Sequence, residues 1–191
     1  VNTVDSHHHF WNMSKFDYEW MPQSPNVLAQ NYMPEDMEPS LLESGISRTV
    51  IVQAHQSVEE TEFLLDIADG NDFVAGVVGW VDLIDSYPNH PSPVGYVLDR
   101  LMKRPKFKGV RHLVHDELKD DWLTREDVVS GLKQLVFRGL PYDVLARPVH
   151  LKYIPILAEK VSGLRMVIDH IAKPLIAEHV MEPWASDIAE V

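Results

Sequence analysis

The stretch Val4-Asp5-Ser6-His7-His8-His9-Phe10-Trp11 decides how the rest of the chain is read. A short apolar lead runs through Val4 into three histidines. In a strand, successive side chains alternate faces, so His7 and His9 project together and His8 turns away. Two imidazoles on one side of a strand end can hold a divalent metal ion. Two plainer readings stand beside this one, a tag remnant and a set of surface histidines. The run sits between Val4 and Phe10-Trp11 rather than in a polar linker, which suits a tag poorly.

Composition narrows the class. The chain has 191 residues, 45% hydrophobic and 24% charged, ordinary material for one globular domain. No run approaches the roughly 20 apolar residues of a membrane span. No basic, apolar-cored leader is seen at the N-terminus. A formal charge of −12 argues against nucleic acid, which requires clustered Lys and Arg. The basic stretch Lys103 to Lys108 reads as a helix end entering a strand. Zero cysteines exclude disulfides, thiolate ligands and a cysteine nucleophile, and are compatible with a cytoplasmic enzyme.

Outward from the first strand, apolar runs alternate in type. Strands are expected at 48–55, 73–80, 107–114, 140–146 and 164–170. Helices are expected at 58–68, capped by Ser57 with Glu60 in the capping-box position, and at 94–102. Two more follow: one capped by Thr124 with Asp127 in the box position and running to about Phe137, and one at 149–161. Pro174 is expected to open another. Six strands alternating with helices, at roughly 30 residues per unit, predict βαβ units and a parallel sheet. No GxGxxG, no P-loop and no GxSxG elbow occurs, which favours a (β/α)8 TIM-barrel type over a dinucleotide-binding or α/β-hydrolase fold. The long aromatic segment from Asn12 to Pro34 is expected to fold over a pocket.

In such a barrel the chemistry gathers at the carboxyl ends of the strands. His7, His9, His55, His112, His150 and His170 all fall on or beside those ends, six of ten histidines. Arg111, Arg147, Asp82, Asp169 and Lys173 fall there too. His90 and His179 are expected at the surface, in a Pro-rich loop and a helix.

These residues resemble a known family. VDSHHHFW is similar to the strand-one HxH motif of the amidohydrolase superfamily, in the amidohydrolase-2 branch that includes sugar lactonases and pyrone-dicarboxylate lactonase. Four further stretches match in order: VIVQAHQSVEETEFLLDIA, GVRHLVHDE, LARPVHL and VIDHIAKP. Asp17-Tyr18-Glu19-Trp20 is similar to the aromatic loop of these lactonases. The resemblance implies a barrel hydrolase opening a cyclic ester. It makes His7, His9 and His170 the catalytic residues and the ligands of a divalent metal, zinc or manganese; some members of the branch work without one. It makes Arg111, His112, Arg147 and Trp11 the substrate contacts. For Arg111 an ion pair with a barrel carboxylate such as Asp143 stays open. For Trp11 and Trp20, ring stacking and loop packing both stay open. His150 stays open between ligand and helix cap.

A barrel of this type has eight strands and about 250 residues. The sequence is therefore expected to be one amidohydrolase-like barrel domain, 1–191, truncated after the sixth strand and lacking the last two β/α units. The strand-eight aspartate of the family, its general base, is then missing, and weak or no activity is expected of the isolated chain. The expected function is lactone hydrolysis. Alternatives are an inactive module that binds or oligomerises, amide hydrolysis or decarboxylation on the same scaffold, and a flavodoxin-like binding domain. A small-molecule substrate, a homo-oligomer and no membrane partner complete the expectation.

Overall fold

The structure is a computed structural model that describes residues 3–85 and 93–191. Val1 and Asn2, at the head of the expected first strand, and His90 lie outside the described residues. Six parallel strands follow one another in chain order: β1 (Val4–His8), β2 (Arg48–Val52), β3 (Val74–Gly79), β4 (Phe107–His112), β5 (Tyr142–Val144) and β6 (Met166–Ile168). Between them lie α1 (Pro34–Ser44), α2 (Val58–Gly70), α3 (Val94–Leu101), α4 (Glu126–Arg138) and α5 (Tyr153–Lys160), and α6 (Trp184–Ala189) follows β6. This is the βα order of a (β/α)8 barrel carried through its sixth strand. Backbone contacts divide the chain into two compact units, Val1–Trp80 with Leu101–Lys108, and Val81–Arg100 with Gly109–Val191.

In the first unit, β1 pairs with β2 and β2 with β3, and the Val77 amide donates to the Lys106 carbonyl (2.7 Å) just ahead of β4. Ile51, Val52 and Val77 are fully buried, as expected of β-branched strands covered on both faces. Helix α2 begins as its sequence dictates: the Ser57 hydroxyl accepts the Glu60 amide (3.0 Å). Leu64, Leu65 and Ala68 fall at helical spacing and are buried. Thr61 fastens the helix to the end of β3 through the Trp80 amide (2.8 Å). Its methyl lies so close to Gly79 that any side chain there would collide with it.

In the second unit, β4 pairs with β5 and β5 with β6. Helix α4 buries Val128, Val129, Leu132 and Leu135, and ends where Gly139 takes the left-handed conformation (φ 66°). It does not start on Thr124. Arg125 is its N-cap, and the Asp127 carboxylate turns back to the Arg125 guanidinium rather than to a cap amide. Pro174 opens no α-helix; a short 3-10 turn at Ile176–Glu178 follows it, and His179 closes that turn with a left-handed backbone (φ 56°). The segment expected as one helix at 149–161 divides into a 3-10 turn at Pro148–His150 and α5. No helix among the described residues is long and apolar enough to cross a membrane.

Candidate active site

At the end of β1, where the register shifts between Asp5 and His8, His7 and His9 still come together. The His7 and His9 rings meet edge to face at 5.0 Å between centroids, while His8 packs edge-on against Phe10 at 4.7 Å. Burial pushes the His8 imidazole down to about 4, so it is neutral at neutral pH. His9 is fixed by a residue 43 positions away: its Nδ1 lies 2.8 Å from the Val52 carbonyl at the end of β2. A carbonyl only accepts, so Nδ1 carries the proton and Nε2 is the lone-pair nitrogen. That is the tautomer of a metal-ligating histidine, whose other N–H is held by a carbonyl or carboxylate. The donor chemistry of this pair therefore fits a divalent ion. His8 and His9 both border a cavity of about 280 Å³ whose wall includes Trp11, Tyr32 and Asp36.

The segment after β1 is a pinned aromatic loop. Trp11 and Tyr32 bridge across its base through two backbone hydrogen bonds of 3.1 Å. The Trp11 indole N–H donates to the Gln30 carbonyl (2.6 Å), and that of Trp20 to the Ala54 carbonyl (2.8 Å). Trp11 is buried with Tyr18 and Ala54 at the loop's own core, whereas Trp20 is 44% exposed. Burial raises the Tyr18 phenol's pKa, and the carboxylate of Glu60, whose side chain it reaches, adds to the shift. Glu60 itself is fully buried and accepts the amides of Ala54 and His55 (3.1 and 2.9 Å). It occupies the box position but serves the turn after β2 instead of the cap. The sequence marked Glu60 as a cap residue only; its hub role depends on Tyr18, which lies far away in the chain.

In the second unit, strand ends β4 to β6 carry charged groups. Arg111 Nη1 pairs with Asp169 Oδ2 (3.2 Å), both side chains essentially buried. Burial, reinforced by Asp169 and opposed by Arg111, pushes the Asp143 carboxyl up to about 7. His112 Nε2 meets Glu117 Oε1 at 2.6 Å while its ring stacks flat on Trp122 at 4.0 Å. Neither Glu117 nor Trp122 stood out in the sequence, because a contact across an irregular turn leaves no periodic signal. His115 Nε2 lies 3.5 Å from Lys173 Nζ and 3.3 Å from Asp116. Burial lowers the pKa of both His115 and Lys173, and for His115 the Lys173 charge adds to it. Arg147 is exposed, and its amide donates to His150 Nδ1 (3.0 Å), so the buried His150 caps the turn that opens at Pro148.

His170 follows β6 on an unusual piece of backbone. His170, Ile171, Ala172 and Lys173 all have φ between 48° and 57°. Non-glycine residues in this region are strained, a β-branched Ile most of all. The Trp184 indole N–H donates to the Ile171 carbonyl (2.6 Å) and the Lys173 amide to the His170 carbonyl (2.9 Å), which holds the turn.

Comparison with known proteins shows the family and the fold. An L-fucono-1,5-lactonase of Burkholderia ambifaria is 37% identical over 188 residues, 98% of this chain and 63% of the relative. A zinc-bound amidohydrolase of Burkholderia multivorans superposes on the whole chain with a TM-score of 0.85 and 28% identity, over 66% of its own length. A probable 2-pyrone-4,6-dicarboxylic acid hydrolase of Acinetobacter baumannii shares the fold, with a TM-score of 0.77 at 18% identity over 66% of its length. The chain thus spans about two thirds of the proteins it resembles, from β1 through the segment after β6. Residues 4–191 match the amidohydrolase family, and with the paired histidines at the end of β1 this shows that the chain belongs to that family.

Proposed function

We propose that this chain carries the hydrolytic machinery for a cyclic ester of the sugar-acid lactone class. The observation that carries the reading is the His7–His9 pair with His9 locked in its Nδ1–H tautomer. The L-fucono-1,5-lactonase relative supports the substrate class. His7, His9 and, on the sequence motif, His170 form the proposed ligand set, and the zinc-bound relative supports zinc over manganese. A divalent ion bound there would polarise the lactone carbonyl and lower the pKa of its water. The chain's own residues orient and hold. His9 keeps its Nδ1 proton on the Val52 carbonyl and offers Nε2 to the ion, or directly to the attacking water where no metal is used. Arg111 and His112 are held by Asp169 and Glu117, which fixes the donors they present to substrate hydroxyls or carboxylate. Arg147 and Trp11 complete the proposed substrate contacts. A cytoplasmic setting and self-association belong to the same proposal.

The internal pairing of Arg111 and His112 also favours a second reading, a binding or oligomerising module that does not turn substrate over. Acid release separates the two. Sugar-acid 1,5-lactones, pyrone lactones and matched amides are offered with zinc, manganese or a chelator. Lactones are the expected substrates, with a loss of about 100-fold or more in His7→Ala. Cleavage of the amides with the lactones untouched would overturn the reading; binding without acid release would favour the second.

A further inference from the structure

The aromatic loop leaves one large ring only partly covered by its own packing. Trp20 is 44% exposed, yet it is not loose. Its indole N–H is spent on the Ala54 carbonyl (2.8 Å), and its ring stands edge to face with Trp11 (5.4 Å, 89°) and with Tyr18 (5.8 Å, 67°). The turn that anchors it is itself held by the buried Glu60 carboxylate. Two residues earlier, at the end of β2, the Val52 carbonyl holds His9. One short piece of backbone therefore fixes both an imidazole of the reactive pair and a rigid, half-exposed indole. An aromatic side chain ordered before binding offers contact area at little entropic cost. Its π face suits the polarised C–H groups on one side of a polyhydroxylated ring.

We propose that Trp20 is the stacking platform of the substrate site, taking the C–H face of a saturated, hydroxylated six-membered lactone. This rests on the lactone reading above and adds Trp20 as the platform beside Trp11, whose edge-to-face contact stiffens it.

The test titrates the chain with a polyhydroxylated δ-lactam, an isostere of a sugar-acid 1,5-lactone that is not readily hydrolysed. Affinity is read by calorimetry and contact by tryptophan emission, in the natural sequence, Trp20→Phe and Trp20→Ala. The lactam is expected to bind and change the emission. Trp20→Phe, which keeps a flat ring, should bind within about threefold but lose that emission change. Trp20→Ala should bind about tenfold more weakly, a fold-change that converts to about 1.4 kcal/mol. Unchanged affinity in Trp20→Ala, or an emission change that persists in Trp20→Phe, would overturn the platform and leave the lactone reading standing. Failure of the natural sequence to bind the lactam would overturn both.

Discussion

Asp143 sits in an environment that its neighbours in sequence do not suggest. Buried between β4 and β6 and facing Asp169, its carboxyl is pushed up to about 7 from a reference of 3.8. The folded protein therefore favours the protonated acid. The resulting contribution to stability is fully present below about pH 4 and is lost as pH rises through about 7. Asp143→Asn should be spared that loss. The thermal midpoint of the variant relative to the natural sequence is expected to climb between pH 5 and 8; an offset constant over that range would contradict the assignment. Residue-level chemistry was only partly legible beforehand. The pairing of His7 with His9 follows from strand alternation alone. The tautomer of His9 does not, because the Val52 carbonyl that sets it is 43 positions away. The partner of Arg111 was likewise open, and it is Asp169, 58 positions on.

At the scale of elements, the helices show where local signals decide and where they yield. Ser57 and the apolar spacing behind it specify α2 without help, and the helix begins where they put it. Thr124 looked equally good as a cap, but the first turn of α4 is organised by the Arg125–Asp127 pair. β5 and β6 are shorter than their apolar runs suggested, since pairing ends where the chain turns into the polar strand ends. Helix α4 also carries a steric demand that sequence alone could not reveal. A Cβ at Gly131 would run into the Leu83 carbonyl, so the helix is seated directly on the backbone after β3. Gly131→Ala, ordinarily favourable in a helix, should instead destabilise by about 1–3 kcal/mol in urea unfolding. A neutral or stabilising result would show that α4 does not pack there.

For the whole molecule, the alternation of β-branched runs with amphipathic ones was enough to specify six parallel strands in chain order, because each βα unit repeats the same pattern. The pattern says less about the charged groups, which belong to loops and short turns without periodicity. The family match extends over residues 4–191, a range that includes His7 and His9. If the chemistry is as proposed, two adjacent histidines must differ completely in consequence. His7 shares a face with His9, whereas His8 is turned onto Phe10 and is kept neutral by burial. The most direct measurement is acid release from a sugar-acid 1,5-lactone with zinc, comparing the natural sequence, His7→Ala and His8→Ala. Slow hydrolysis above the spontaneous rate is expected, retained in folded His8→Ala and lost in His7→Ala. Hydrolysis that survives in His7→Ala, or the absence of any difference among the three, would contradict the assignment of the reaction to the His7–His9 face.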